Sequence, residues 1–297
     1  MKKNLIHTWF LQIRGPFLIL SAVLVFIGVA AAYHDGYVNW IHAIMLMIGV
    51  VQAHIAVNLF NELSDDKTKI DLKTKQTPFS GGSGMLQKGR TTSNSVRNTA
   101  YINLLMAGAI GVYFCVISSV WIVFLMIIGG LAIRFYTSHF ARWMVGEIIA
   151  GLSLGSCVVM GVYLALVGAW DWQLALLSFP PGILTTQLLF LNEFPDADAD
   201  RAGGRHHWVI HWGRERSAVL YCLLMGVCFL IIGILPFVSR FPWMLMFGMG
   251  TLPLAIMSCR GAIKYHSDTE NLIPVLGLNV LVILITDTLL GAGLMIA

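Results

Sequence analysis

The chain has 297 residues, of which 57% are hydrophobic and 11% charged, against a soluble norm of about 45–50% and about 25%. That balance excludes a soluble globular protein, and apolar runs of about 17 to 25 residues point to membrane-crossing α-helices instead of the shorter, alternating strands of a β-barrel. The formal net charge of +4 reflects loop bias and is no argument for a nucleic-acid partner.

Nine spans are expected, at residues 15–33, 38–63, 97–117, 119–135, 146–168, 172–191, 216–236, 241–261 and 271–295. Each is near the roughly 20 residues that an α-helix needs to cross about 30 Å of hydrocarbon. The expected fold is all-α, a single polytopic membrane domain over residues 1–297. The first run has no small-residue cleavage site and more spans follow it, so it reads as a helix and not as a signal peptide. With the N-terminus in the cytoplasm, every Lys and Arg except Arg240 falls on the inside. The positive-inside rule then puts the N-terminus in and the C-terminus out. Cys115, Cys157, Cys222, Cys228 and Cys259 sit in or beside apolar spans without metal-ligand spacing, and read as small core residues.

Residues 1–14 form a short amphipathic lead. Arg14, at the mouth of the first span, is either an interfacial anchor or a guanidinium aimed at an anion. The second span carries Gln52, His54 and Asn58 before Asn61 and Asp65, and polar groups at that depth face a bundle interior or a water-filled cavity. Asn58, Asn61 and Asp65, spaced by three and four, share a helical face. Asp71 lies off that face and is expected to fold back from the loop. Residues 77–84 read as a plain loop, with an anion cradle of backbone N–H groups as the alternative. The third and fourth spans, joined at Ser118 and Ser119, are ordinary lipid-soluble helices. Tyr136 to Arg142 form a short inside loop, and Glu147 opens the fifth span, where it either favours the helix dipole or works at the cytoplasmic mouth. Gly151 and Gly155 are expected at a close helix contact.

The sixth span ends at Asn192. Asn192, Asp196 and Asp200 share a face at spacings of four, and Pro195 is expected to kink or restart the helix. His206, His207 and His211 read as solvated loop or phosphate-side residues, because a zinc site would need a Cys or another ordered ligand beside them. Asp287, deep in the last span, is expected to make an interhelical hydrogen bond, with a polar contact to a quinone-like head as the alternative.

The acidic residues carry the main clue. Of 15 in the chain, Glu62, Asp65, Asp66, Asp71, Glu193, Asp196, Asp198 and Asp200 fall in two short stretches. Both stretches open with Asn-Glu and place an Asp four residues after the Asn. Paired carboxylates at two helix ends on one membrane face, with Lys and Arg around them, suit a hard cation held by oxygen. Mg²⁺, which takes few carboxylates together with substrate phosphates, fits this sparse set better than Ca²⁺ does. A lipid-soluble diphosphate would put its head at this face and its tail among the helices.

These residues resemble the UbiA superfamily of intramembrane prenyltransferases. Asn61, Asp65 and Asp71 look like its first aspartate motif, Asn192, Asp196 and Asp200 like its second, and Arg14-Gly15-Pro16 is similar to its Arg-Pro entry. The gap from Asp65 to Asp71, the Gly81-Gly82-Ser83 loop, Tyr136-Thr137 and Gly146-Glu147 look like the branch that prenylates 1,4-dihydroxy-2-naphthoate in menaquinone synthesis. Pro195 and the run from Gly204 to Ile210 depart from that branch. The resemblance implies that Asn61, Asp65, Asp71, Asn192, Asp196 and Asp200 hold Mg²⁺ on a polyprenyl diphosphate. It also implies that Arg14, Lys73, Lys75 and Arg205 neutralise the diphosphate, with Asn58 and Tyr136 beside the substrate. An aromatic acceptor would attack the allylic cation and give its proton to Glu147 or to a spare carboxylate such as Asp66 or Asp198. The enzyme would lie in a prokaryotic inner membrane with its site facing the cytoplasm. Other acceptors (4-hydroxybenzoate, haem or a porphyrin, a glycerol phosphate lipid) and a cation-coupled transporter are the competing readings.

Overall fold

Among the described residues, 2–37, 39–68, 77–137 and 139–297 of a computed structural model, the secondary structure is helical throughout. The helices are α1 (Lys2–Gln12), α2 (Leu18–His34, entered through the turn Gly15–Phe17), α3 (Trp40–Thr68), α4 (Ser93–Ile117), α5 (Ile122–Phe135), α6 (Gly146–Val167), α7 (Trp172–Ala202), α8 (Trp208–Trp212), α9 (Arg214–Val238), α10 (Trp243–Tyr265) and α11 (Thr269–Ile296). Eight of them, α2 to α4, α6, α7 and α9 to α11, are long and apolar enough to cross a membrane. The remaining expected span is α5, which has 14 residues. The expected nine are therefore eight long helices and one short apolar one.

Helix length decides where the polar residues lie. The 29 residues of α3 and the 31 of α7 rise about 44 Å and about 46 Å, well beyond the roughly 30 Å of hydrocarbon. Their polar C-terminal turns, with Asn61 and Asp65 on one and Asn192 to Asp200 on the other, are the excess. The restart expected as one outcome at Pro195 does not occur, and α7 runs as one helix through Pro180, Pro181 and Pro195. A proline removes one backbone donor, here the partner of the Leu191 carbonyl. The turn around it is also held from outside, since Arg214 Nε donates to the Phe194 carbonyl at 3.1 Å. Starts are set by side-chain caps: Thr92 accepts from Ser95 N–H, Asp171 from Gln173 N–H, and Asp268 from the N–H groups of Glu270 and Asn271.

α2 lies between α6 and α11, α7 packs on α6, α9 and α11, and α3 packs on α4. α6 and α7 cross closely, as the glycine spacing leads one to expect. A Cβ on Gly155 would lie 2.6 Å from Gly182 Cα and 2.8 Å from the Pro181 carbonyl, and backbone cannot yield as a side chain can. Gly155→Val is expected to cost about 1–3 kcal/mol through overpacking. Gly226→Ala, at a position with open space around it, is the control, and thermal unfolding in detergent reads both.

Polar groups inside the bundle mostly bond between helices, the usual cement of membrane interiors. Ser21 Oγ and His54 Nδ1 are 2.7 Å apart between α2 and α3. Gln187 donates to the Tyr221 carbonyl at 2.6 Å, and Tyr221 hydroxyl donates to Asn279 at 2.8 Å. Asp287 breaks the pattern: it is buried, and neither carboxyl oxygen has a hydrogen-bond partner among the described residues. The interhelical bond expected for it is absent. Of the cysteines, Cys157 and Cys228 are buried, the other three are partly so, and all five are free.

At the end of the bundle away from the acidic turns, Arg240 joins Asp171 and Asp35, the latter at 2.6 Å, and Tyr163 hydroxyl donates to Asp35 at 2.5 Å. Burial acts to raise the Asp35 carboxyl, but the bonds from Arg240 and Tyr163 outweigh it and hold it below its ordinary value. A depressed carboxylate adds stability above its unfolded pKa of about 3.9 and loses it as pH falls through the folded value. Wild type is therefore expected to melt above Asp35→Asn at neutral pH, with the gap closing as pH drops below about 4.

Candidate active site

The acidic ends of α3 and α7 meet at the mouth of one cavity of about 440 Å³. Residues from Leu46 to Asp65 of α3 line it, a rise of about 28 Å, so it runs most of the thickness of a bilayer. Its deep part is apolar, walled by Val50, Phe114, Ile122, Leu125, Met126 and Val162. Its mouth is polar, with Arg14, Asn58, Asn61, Asp65, Ser80, Tyr136, Asn192, Glu193, Asp196, Asp200, Arg205 and His207 all facing it.

The shared faces read from the sequence form as the spacing requires. On α3, Asn58 donates from Nδ2 to the Ile13 carbonyl at 2.9 Å, tying the N-terminal lead to the site. Asn61 accepts from Thr137 hydroxyl, and Asp65 is paired with Arg205. On α7, Asp200 binds the same guanidinium at 2.9 Å. Arg205 thus bridges the two motifs. Burial works against its charge, but Asp65 and Asp200 outweigh burial and raise its pKa further above the ordinary arginine value. Asn192 Oδ1 and Asp196 Oδ1 are buried without hydrogen-bond partners among the described residues. Arg14 lines the mouth, held in a left-handed conformation with φ of 53° where the lead turns into α2. Tyr136 is kept protonated, its pKa pushed well above 10 by burial first and then by the nearby Glu193 and Glu147 carboxyls. Asp71, Lys73 and Lys75 lie outside the described residues.

Several residues take places that spacing did not assign. Glu62 is buried and accepts from Ser83 N–H and Ser83 hydroxyl, both at 2.7 Å, stapling the glycine loop over the mouth. Gly81 and Gly82 have φ of 87° and 63°, a region open to glycine without strain; the loop's signal was its glycine run. Glu193 turns into the cavity beside His207. His207 is 2% exposed, which corrects its reading as a solvated loop residue. Glu147 is fully buried, accepts from Trp208 N–H at 2.7 Å, and does not line the cavity. The spare carboxylates are elsewhere: Asp198 is 75% exposed and paired with Arg214, and Asp66 meets Ser93 on the outer side of α3.

Residues 21–275 match the UbiA prenyltransferase family. The chain is similar to the 1,4-dihydroxy-2-naphthoate octaprenyltransferase of Bacillus subtilis (strain 168), with 24% identity over 255 residues that cover 84% of this chain and 80% of that protein. It superposes on the apo structure of a UbiA homolog from Aeropyrum pernix K1 with a TM-score of 0.73 at 16% identity, covering 95% of this chain and 98% of that one. With a UbiA homolog from Archaeoglobus fulgidus bound to DMAPP and Mg²⁺ the TM-score is 0.59 at 15% identity, covering 95% and 99%. At such identities the two structures establish a shared fold.

Proposed function

The chain belongs to the UbiA prenyltransferase family, and from that premise we propose that it transfers a prenyl chain from a polyprenyl diphosphate to an aromatic acceptor of the 1,4-dihydroxy-2-naphthoate kind, with Mg²⁺ and with release of diphosphate, in menaquinone synthesis. The observation that carries this reading is the meeting of two Asn/Asp helix ends at the polar mouth of a long apolar cavity. The naphthoate acceptor is supported by the name of the Bacillus subtilis relative. DMAPP and Mg²⁺ bound to the Archaeoglobus fulgidus homolog support donor and metal.

The donor set fits a hard cation. Asp65, Asp196 and Asp200 offer carboxylate oxygens, Asn61 and Asn192 amide oxygens, and the buried, unpartnered Oδ1 atoms of Asn192 and Asp196 are acceptors in need of a positive group. Mg²⁺ held there supplies charge neutralisation to the departing diphosphate. Arg205 and Arg14 add fixed positive charge at the mouth, and the staple of Glu62 to Ser83 holds the loop above it. The apolar walls exclude water while an allylic cation exists, and the aromatic side chains of Phe17, Phe79 and Tyr136 on the lining can stabilise it. Glu147, the base expected from the sequence, is buried behind the cavity lining, so no proton transfer is routed through it.

We read residues 1–297 as one membrane domain of nine spans. The N-terminus is cytoplasmic, the C-terminus is outside, and the mouth faces the cytoplasm of a prokaryotic cell. The Lys and Arg distribution supports this orientation. The test incubates purified protein and Mg²⁺ with a polyprenyl diphosphate and a panel of acceptors, with products weighed by mass spectrometry. A prenylated naphthoate is expected. Product with 4-hydroxybenzoate, haem or a glycerol phosphate lipid alone would reassign the acceptor, and absence of both product and diphosphate release would overturn the reading.

A further inference from the structure

Beside the Asn/Asp ends lies a cluster of different chemistry. Glu147 at the start of α6, Glu193 on α7 and His207 just before α8 each bring one ligand atom within 4.8 Å of the other two. Glu147 and His207 are 0% and 2% exposed. Glu147 Oε2, Glu193 Oε2 and both nitrogens of His207 lack hydrogen-bond partners among the described residues. Buried polar atoms are rarely left so, because their lost hydration is then uncompensated. His207 Nδ1 stands 3.4 Å from Glu193 Oε2, beyond the roughly 2.7–3.2 Å of a good hydrogen bond. It is, however, about the edge of a tetrahedron whose metal–ligand bonds are about 2.1 Å long.

We propose that Glu147, Glu193 and His207 form a second cation site, which takes a divalent transition ion such as Zn²⁺ through one imidazole nitrogen and two carboxylate oxygens. The donor set separates it from the oxygen-only Asn/Asp ends, since imidazole suits zinc and its neighbours while all-oxygen sets suit magnesium. A divalent ion there would take the place of the proton that otherwise joins the two carboxyls, and would be the positive partner of both. Glu147 and His207 each have a neighbour behind them, as ligands of metal sites commonly do. Trp208 N–H holds the other oxygen of Glu147 at 2.7 Å. Asp200 Oδ2 lies 3.3 Å from His207 Nε2, a carboxylate on that side of the ring that favours the tautomer with the Nδ1 lone pair free for the ion. Glu193 and His207 line the cavity and Glu147 does not, so the fourth position opens to the cavity, where a hydroxyl or water oxygen completes the tetrahedron. Asp200 belongs to both sites and couples them.

The test needs no prenyl substrate, so its outcome is independent of the proposed acceptor and of prenyl transfer itself. Protein in detergent is stripped with chelator and given Zn²⁺ or Co²⁺ alone. Bound metal is counted by elemental mass spectrometry after gel filtration, and Co²⁺ geometry is read from visible absorption. Wild type and Asp196→Asn are expected to retain one ion per chain, with the strong absorption of tetrahedral Co²⁺. His207→Gln and Glu193→Gln are expected to bind at least about 100-fold more weakly, with thermal unfolding as the check that they fold. An octahedral Co²⁺ spectrum in wild type, retention by His207→Gln equal to wild type, or no retained ion in wild type, meaning that a shared proton alone joins the two carboxyls, would each overturn the proposal.

Discussion

Alanine at Asp196 is expected to lower the rate of the proposed prenyl transfer by about 10³-fold, a loss of about 4 kcal/mol of transition-state stabilisation. Asp196 lines the mouth, its Oδ1 has no partner, and Arg205 spends its two ion pairs on Asp65 and Asp200. Removing it therefore leaves no buried cation without a partner and breaks no bridge between α3 and α7. The cost falls on the reaction and not on the fold. Diphosphate release from a polyprenyl diphosphate at saturating Mg²⁺ should drop while the melting temperature stays near that of wild type. A rate within tenfold of wild type would count against a role for the α7 carboxylates in holding the metal.

Arg205→Ala is expected to do the reverse and act first on stability. Side chains of Asp65 and Asp200 are 5% and 3% exposed, and losing the guanidinium between them leaves two buried negative charges facing each other. Breaking a buried pair by removing one partner costs about 3–5 kcal/mol. Because the pKa of Arg205 is raised further above its ordinary value, no working pH substitutes for the mutation by discharging it. A divalent cation can take its place electrostatically, so Mg²⁺ should raise the melting temperature of Arg205→Ala by more than it raises that of wild type. An Arg205→Ala protein as stable as wild type without Mg²⁺ would mean that the two motifs are held together by packing alone.

The helical frame was legible because crossing hydrocarbon needs a run of fixed length and polarity, and runs at the expected places form the eight long helices. The two Asn/Asp faces were legible because three and four residues make a turn, a local rule that tertiary structure did not override. What remained hidden depends on contacts between distant segments. Glu62, one residue past Asn61, looked like an idle neighbour until Ser83 closed on it. His207 was set aside for want of another ordered ligand beside it, whereas Glu193 and Glu147, 46 residues apart in the sequence, both bring a carboxylate oxygen within 4.8 Å of it. Pro195 misled in the opposite sense: its local rule is sound, but one lost backbone bond did not end a helix braced by Arg214.

The shortness of α5 has a consequence for the lipid around the protein. Its 14 residues rise about 21 Å, some 9 Å less than average hydrocarbon thickness, and the bilayer beside it must thin or the helix ends must sink into the core. Ile122, Leu125, Met126 and Gly129 of this helix also wall the cavity. Mismatch with the bilayer therefore bears on a helix that walls the cavity, and acyl-chain length is expected to act as a mechanical variable: short-chain lipids relieve the mismatch at α5, and long-chain lipids load the cavity wall.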